Sequence, residues 1–375
     1  MARIRNLALA LSQTGCEVSL LLVGDEESEF VWEKIAVQQV ARGQPEPRRG
    51  WRRPRVNARA VDRMAQEIGR RHAAGGVDVV FFYNQDVAYA WRLARLCRQR
   101  GIPFVQQYAE KHLACDYAAG WRDTHYLSER LHLLVLPHFS AGSVVISHYL
   151  AAELSARARH PVLVVPTVAP LASAAGRTPP AIPELLAISG GARRDSLELL
   201  LEAMTLVRQA GGRTRLRIVG LSSDTLAKLT ARARSHELAG GVVLAGRLDE
   251  ANYTEAVCGA SCHVLLRSDD VSSQACFPSR LFELFSHGTP AILSAVGDIR
   301  RYFTDGEDAL LVSPGSAAAV AEKILWVERH PGAAAEIGQR GNGTARRVFD
   351  LARHGEALAN YLQATVHRHK SQSHA

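Results

Sequence analysis

The segment FPSRLFELFSHGTPAILSAVGDIRRYFTDGEDALLVSPG, residues 277–315, joins a short helical pattern to two apolar strand patterns. Pro278 suits the first position of a helix, because its φ is already fixed and its missing N–H is not needed there. Gly288 suits the C-terminal cap of the same helix. The segment predicts one helix and two strands, at 278–287, 290–294 and 309–312.

A single carboxylate, Glu283, stands in this predicted helix. Ser279, Glu283 and His287 are four residues apart and therefore share one face. The apolar side chains point toward the sheet: Leu281, Leu284 and Phe285. A carboxylate has two acceptor oxygens and can hold both hydroxyls of a ribose diol, and a helix N-terminus at the carboxyl end of a strand offers N–H groups to a diphosphate.

Short β-branched runs alternate with helical stretches over most of the chain, twice over, which is typical of doubly wound parallel sheets. The first set predicts helices at 3–14, 57–74, 85–100, 124–138 and 148–158, and strands at 16–24, 77–82, 103–108, 143–147 and 161–165. The second set predicts helices at 195–210, 222–236, 250–259 and 278–287, and strands at 185–189, 214–219, 242–245, 262–267, 290–294 and 309–312. The predicted fold class is α/β, with two Rossmann-like domains facing a cleft.

The boundaries between these domains follow from composition. Residues 167–183 combine four prolines with small residues and show no periodicity. We predict a first domain at 1–166, a hinge at 167–184, a second domain at 185–346, a closing helix at 347–366 that packs back on the first domain, and a disordered tail at 367–375.

The composition excludes several classes of protein. The chain has 375 residues, 47% of them hydrophobic, which is enough for two cores. It contains no apolar run of about 18 residues and no secretory signal, so we expect a cytoplasmic protein. The six cysteines are scattered, so we expect reduced, packed thiols and no metal site.

Residues 42–71 carry ten arginines, within a chain of net charge +8. Such a basic segment suits nucleotide or lipid phosphates, an anionic membrane surface, or simply a solvated loop. Its single aromatic residue, Trp51, offers no ladder for stacking bases, so we expect no nucleic-acid partner. We hypothesise peripheral contact with the inner face of the membrane through 42–71.

The motifs FPSRLFELFSHGTPAI, VGDI and DGEDALLVSPGS, in this order, resemble the donor-site block of retaining glycosyltransferases of the GT-B fold, family 4 (glycosyl transferases group 1). In the first half, RIRNLALALSQTGCEVSLLLV, RQRGIPFVQQYAEKH and VVISHYLAAEL are similar to the same family. The resemblance covers nearly the whole chain. It implies transfer of a hexose-type sugar from a nucleotide diphosphate sugar, a substrate and not a cofactor, to a glycan or lipid-linked acceptor.

The resemblance implies a donor site in the second domain. Its residues are Gly190, Arg193, Arg194, Gln274, Phe277, Ser279, Arg280 and Glu283. Glu283 takes the ribose, and Arg193 or Arg194 neutralises the diphosphate as the glycosidic bond breaks.

Two positions depart from the family pattern. Ala275 stands eight residues upstream of Glu283, where the family has an acid, and Asp195 stands where it has a lysine. The loop 267–277 offers N–H groups and either Asp269 or Asp270 to the sugar instead. Asp195 also suits the N-cap of the helix that follows it.

The first domain supplies the acceptor side in this family. The segment YAEKHLACDY follows the predicted strand 103–108 and contains Glu110 and His112, where relatives place polar residues near the reacting sugar. The resemblance implies these two as catalytic residues. The family is thought to react through an oxocarbenium-like state in which the leaving phosphate helps deprotonate the acceptor, so no catalytic triad is needed.

The chain opens directly on the helix that normally follows the first strand and its glycine-rich loop, and both are missing from this sequence. Because that strand is central, its absence leaves backbone groups unpaired. We therefore expect either an upstream start or an impaired protein.

Three functions are consistent with these observations. A glycosyltransferase fits the motifs. An accessory protein that binds nucleotide without turnover is consistent with Ala275 and Asp195, which depart from the family pattern. An NAD-dependent enzyme fits poorly, because no GxGxxG follows a strand, and a sugar-nucleotide epimerase, which shares the architecture, needs no acceptor.

Overall fold

The structure is a computed structural model that describes residues 2–24, 26–41, 53–83, 86–171, 182–235, 238 and 240–373. The chain divides into two compact units. The first is Met1–Val168 together with Leu351–Ala375, and the second is Ala169–Asp350. Most of the predicted hinge, residues 172–181, lies outside the described residues.

The first unit is built on two sheets. Its strands are β1 Ser19–Gly24, β2 Ser28–Trp32, β3 Ile35–Ala41, β4 Val80–Phe82, β5 Phe104–Tyr108, β6 Gly142–Val145 and β7 Val162–Val164. Its helices are α1 Ala2–Ser12, α2 Arg53–Ala73, α3 Val87–Gln99, α4 Thr124–Val135, α5 His148–Ser155 and α14 Leu351–Ser373. One sheet has the order β1-β3-β2, and the other is parallel with the order β4-β5-β6-β7.

The pair β2–β3 is an antiparallel hairpin that the sequence did not predict. Its turn residues, Glu33 and Lys34, have φ values of 46° and 70°. A two-residue turn of this kind matches the twist of the strands but is usually signalled by Asn-Gly or Asp-Gly. Because Glu-Lys carries no such signal, the sequence does not predict this hairpin.

Helix α14 returns to the first unit and packs against α1. Leu7 and Leu11 of α1 share a buried cluster with Leu358 and Leu362 of α14. The prediction of a disordered tail from residue 367 was wrong up to Ser373, because α14 continues that far.

The second unit contains one parallel six-stranded sheet. Its strands are β8 Glu184–Ile188, β9 Arg215–Val219, β10 Val242–Leu244, β11 Cys262–Leu265, β12 Ala291–Ser294 and β13 Leu310–Val312. Its helices are α6 Leu197–Gln209, α7 Ser223–Ser235, α8 Glu250–Gly259, α9 Val271–Ala275, α10 Leu281–Phe285, α11 Ile299–Tyr302, α12 Ala317–Arg329 and α13 Pro331–Val348. The strand order is β10-β9-β8-β11-β12-β13, so the direction of winding reverses between β8 and β11. This is the doubly wound Rossmann order, which confirms the predicted fold class.

The predicted helix 278–287 is shorter than expected. The backbone N–H of Leu281 donates to the carbonyl of Pro278 at 3.1 Å, so Pro278 forms a turn ahead of α10 and does not start the helix. Leu281, Leu284 and Phe285 are buried, as predicted. Gly288 has φ +67°, but it is not the predicted C-terminal cap, because α10 ends earlier and Ser286 caps it.

Candidate functional site

The site lies at the carboxyl edge of the six-stranded sheet, where β8 and β11 are neighbours. In open parallel sheets, ligands bind at the point where the winding reverses, because the loops after the two central strands diverge there. The loop after β8 runs from Ser189 to Ser196, and the loop after β11 runs from Leu266 to α9.

A buried ion pair joins these two loops. Arg267 Nη1 lies 3.0 Å from Asp195 Oδ1, and the two side chains are only 14% and 12% exposed. The Ser189 hydroxyl donates to Asp195 Oδ2 and accepts from the Gly191 N–H at 2.9 Å. Burial lowers the pKa of Arg267, while Asp195 opposes that shift. Asp195 stands at the position where the family pattern has a lysine, and its carboxylate holds a different cation, Arg267.

Asp195 is not the N-cap that the sequence suggested. It belongs to a short 3-10 turn, Arg193–Asp195, and the residue that caps α6 is Ser196, with φ +47° and no capping hydrogen bond from its side chain. The bond from Ser189 and the pairing with Arg267 occupy the carboxylate instead.

Three further arginines converge on the same loops. Arg193 Nη2 donates to Asp270 Oδ2 at 3.0 Å, and Arg194 Nη1 donates to Ser272 Oγ at 3.2 Å. Arg280, just before α10, donates through Nη1 to the carbonyl of Ile188 at 2.7 Å. Together with Arg267 they place four cations around the end of β8, which suits a diphosphate.

The loop after β11 is ordered by its own carboxylates. Asp270 accepts from Ser268 Oγ at 2.8 Å and from the Ser273 N–H at 2.9 Å. Burial opposes ionisation of Asp270, but these bonds and Arg193 outweigh it, and the pKa of Asp270 is lowered. Gln274 donates to Asp269 at 2.6 Å. Both candidate acids, Asp269 and Asp270, thus hold the loop in place.

A small cavity opens beside this loop. It is lined by Arg267, Ser273, Cys276, Phe277, Pro278, Val296, Asp298 and Ile299. Within the described residues, the buried Ser273 hydroxyl and Arg194 Nε have no hydrogen-bond partner. Phe277 is buried and packs edge-to-face on Tyr302 with ring centroids 5.7 Å apart, so it forms a wall of the cavity and offers no polar contact. Ala275 is fully buried.

Glu283 pairs with a residue that the sequence did not single out. The hydroxyl of Tyr253, on α8, donates to Glu283 Oε2 at 2.5 Å. Burial raises the pKa of Tyr253, and the neighbouring Glu283 carboxylate raises it further. Ser279 and Gly190 are exposed, and a Cβ added at Gly190 would meet open space.

The structure therefore gathers the predicted donor residues in one region of the second unit and adds Arg267 and Tyr253. A signal for Arg267 existed, because an arginine directly after an apolar strand needs a partner or a ligand. No motif in the sequence of α8 marked Tyr253 as a partner of Glu283.

The first unit holds a second polar cluster after β5. His112 Nδ1 lies 2.7 Å from Glu129 Oε2, and its backbone N–H donates to Glu129 Oε1 at 2.6 Å. The hydroxyl of Tyr117 donates to Glu129 Oε2 at 2.9 Å, and His112 Nε2 lies 3.2 Å from Glu110 Oε2. Glu110 and then Glu129 raise the pKa of His112 to about 9, against the effect of burial. Glu129, which the sequence did not single out, thus holds both the backbone and the ring of His112.

The predicted basic segment lies partly outside the described residues, which omit 42–52. In α2, Arg70 and Arg71 both pair with Glu67, and Arg63 pairs with Glu27. These three arginines are therefore partly neutralised. Across the described part of the chain, no helix is long and apolar enough to span a membrane.

Comparison with known proteins agrees with this geometry. Residues 182–344, less than half of the chain, match the family model described as Glycosyl transferases group 1. A stretch of 77 residues is 32% identical to trehalose synthase of Pyrococcus horikoshii, a match that spans 20% of this chain and only 18% of that protein.

Two solved structures share the fold over most of their length. Sucrose-phosphate synthase from Thermosynechococcus elongatus superposes with a TM-score of 0.70 at 16% identity, covering 96% of this chain and 92% of that one. HepE from Anabaena, in complex with UDP and glucose, superposes with a TM-score of 0.66 at 15% identity, covering 88% and 86%. The protein thus has the GT-B fold of glycosyltransferases, and its second unit contains a Glycosyl transferases group 1 domain.

Proposed function

We propose that the protein is a retaining, family 4 glycosyltransferase that moves a hexose-type sugar from a nucleotide diphosphate sugar to a glycan or lipid-linked acceptor. The observation that carries this proposal is the group of four arginines at the winding reversal, beside the Glu283–Tyr253 pair. The group lies inside the domain that matches the family model.

In this proposal Glu283 binds the ribose. The Tyr253 hydroxyl occupies one lone pair of Oε2 and fixes the orientation of the carboxylate. A carboxylate has about four acceptor positions, so both oxygens can still accept from a ribose diol.

The arginines would bind the diphosphate, and the loop after β11 would bind the sugar. Arg194 Nε and the Ser273 hydroxyl are buried donors with no partner among the described residues, so a ligand oxygen would satisfy them. The cation that replaces the family's lysine would be Arg267, held by Asp195.

The reaction breaks the bond between the anomeric carbon and the phosphate oxygen, passing through an oxocarbenium-like state. The acceptor hydroxyl attacks the same face, and its proton passes to the departing phosphate oxygen. The arginines stabilise the negative charge that develops on that phosphate. His112 and Glu110 are our candidates for the acceptor side.

Nucleotide binding tests the donor site. Thermal shift with UDP, GDP, ADP and their sugar conjugates should show stabilisation by one nucleotide class, because a ligand of the native state raises Tm by mass action. UDP comes first, because HepE was solved with UDP and glucose. Glu283→Gln should lose most of the shift, whereas Glu255→Gln, at an exposed position on α8, should keep it.

An assay of product formation distinguishes a glycosyltransferase from an accessory protein and from an epimerase. If the sugar is transferred to an acceptor, NMR of the product should show the same anomeric configuration as in the donor. Nucleotide binding without sugar transfer would favour the accessory role, to which the buried Ala275 also points. Conversion of the donor sugar without an acceptor would indicate an epimerase.

A further inference from the structure

Helix α4 of the first unit buries two polar side chains beside Leu133 and exposes several apolar ones, unlike an ordinary surface helix. Its inward face buries Glu129 and His132, which are 2% and 1% exposed. Its outward face carries Leu127, Leu131 and Leu134, which are 46%, 49% and 41% exposed. The spacing i, i+4, i+7 places the three leucines on one stripe.

The burial of Glu129 follows from the site already described. Glu129 turns inward because it holds the backbone and the ring of His112. That role accounts for the buried acid but gives no reason for exposed leucines on the opposite side. Contiguous apolar patches on a protein surface mark interaction sites.

The apolar surface extends beyond α4. Trp121, just before the helix, is 66% exposed, and Phe139, just after it, is 42% exposed. Helix α3 contributes Trp91, also 42% exposed.

Topology places α3 and α4 side by side. Strands β4, β5 and β6 are parallel neighbours in chain order. Right-handed crossovers in one direction put the two connecting helices on the same face of the sheet, and α3 does pack against α4. We call the resulting area the α3–α4 surface; its apolar members are Trp91, Trp121, Leu127, Leu131, Leu134 and Phe139.

Four arginines lie on or beside this surface, and the nearby carboxylate of Asp123 is engaged as the N-cap of α4. Arg122 lies over the Trp121 ring at 4.6 Å, and Arg95 lies over the Trp91 ring at 5.8 Å. Arg98 is exposed on α3, and Arg130 is half-buried on α4. None of the four arginines forms an ion pair with another residue in the described ranges. On α4 itself Glu129 is buried, so the outward stripe carries no carboxylate.

We propose that the α3–α4 surface is a docking site for an anionic lipid bilayer. Leucine and phenylalanine side chains would enter the interfacial region, the two tryptophans would lie at headgroup depth, and the arginines would attract anionic headgroups. The surface includes no residue of the 42–71 segment, and its proposed role does not depend on the transferase activity.

Charge favours a bilayer over a second copy of the chain. A symmetric contact would bring the same arginines of two copies together, in a protein whose net charge is +8. An acidic protein partner is the competing occupant, and the experiment distinguishes it.

Vesicle flotation tests the proposal on the 375-residue chain. The protein should float with phosphatidylcholine vesicles that contain phosphatidylglycerol, less with phosphatidylcholine alone, and less at high salt. The double substitution Leu127→Ser/Leu131→Ser should reduce partitioning about tenfold or more, because two apolar anchors are lost. Arg122→Gln/Arg130→Gln should reduce it about tenfold at low salt and little at high salt.

The matched control is Leu206→Ser, a 38% exposed leucine on α6 of the second unit, which should leave flotation unchanged. Circular dichroism and Tm show whether each variant is folded. Absence of flotation with either vesicle, or equal flotation of wild type and the leucine double variant, would overturn the proposal. So would a dimer in light scattering that the leucine variant abolishes.

Discussion

At the scale of single residues, the candidate donor site depends on a buried ion pair. Arg267 and Asp195 are both largely buried, and removal of one partner leaves the other charge uncompensated. We expect Asp195→Asn to lower the free energy of unfolding by about 3 kcal/mol. Urea denaturation measures this.

The control for Asp195→Asn is Lys323→Gln. Lys323 pairs with Asp305, whose side chain is 48% exposed. An ion pair so accessible to water contributes about 1 kcal/mol or less. If both substitutions had equal effects, Asp195 and Arg267 would not form the buried pair described above.

His112 provides a pH-dependent prediction. Glu110 and Glu129 raise its pKa from 6.5 to about 9, so the folded protein holds the proton more tightly than the unfolded chain. This stabilisation is complete below about pH 6.5 and is lost as the pH rises through about 9. NMR titration of the His112 ring should show a pKa near 9, and Tm should fall across this window.

Two variants check the origin of this shift. Glu129→Gln should lower the pKa of His112, and His112→Gln should remove the corresponding fall in Tm. Titration of the wild-type His112 near 6.5 would contradict the carboxylate arrangement.

At this scale the sequence predicted the members of the candidate site better than their partners. Glu283, Arg193 and Arg280 were predicted through motif resemblance, whereas Tyr253 was not, since its partner lies 30 residues away along the chain. A long-range pair of this kind leaves no periodic pattern in the sequence. Phe277, which the resemblance also places at the donor site, lines the cavity beside the loop after β11.

At the scale of elements, helix α13 holds the turn that follows α10. A Cβ added at Gly338 would lie 2.2 Å from the carbonyl oxygen of Gly288, so only glycine permits this approach. The side chain of Asn342 donates to the carbonyl of Phe285 at 2.8 Å. The helix thereby fixes the end of the segment that carries Glu283.

Two glycines of α13 should respond oppositely to alanine. Gly338→Ala should destabilise the protein by about 2–3 kcal/mol, because backbone atoms must move apart. Gly343→Ala should stabilise it by about 0.5–1 kcal/mol, because its added Cβ meets nothing within 4 Å and alanine is the better helix former. Chemical denaturation measures both, and stabilisation by Gly338→Ala would contradict the close packing.

Strands and helices with regular periodicity were predicted to within a few residues, and short or irregular elements were not. Helices α9 and α11 have five and four residues, too few for a helical period to show. The hairpin β2–β3 was missed because the positive φ values at Glu33 and Lys34 have no glycine or asparagine to signal them.

At the scale of the whole molecule, the chain leaves the first unit at Val168 and returns to it at Leu351. Helix α14 is attached to the four-stranded sheet through Tyr361. Its hydroxyl accepts from the backbone N–H of Ser143 at 2.8 Å and donates to the carbonyl of Pro161 at 2.6 Å. The last helix thus satisfies backbone groups beside β6 and β7, more than 190 residues earlier in the chain.

Replacing Tyr361 with phenylalanine tests this attachment. The change keeps the ring but leaves the buried N–H of Ser143 without its acceptor, which costs about 1–3 kcal/mol. Hydrogen exchange at the Ser143 amide should accelerate, whereas amides in β8 and β9 of the second unit should keep their protection, since distant sites respond independently. Tyr149→Phe is the matched control, because within the described structure the Tyr149 ring contacts Lys111 through its face and not through its hydroxyl. Unchanged exchange at Ser143 in Tyr361→Phe would show that α14 is held by its apolar face against α1 alone.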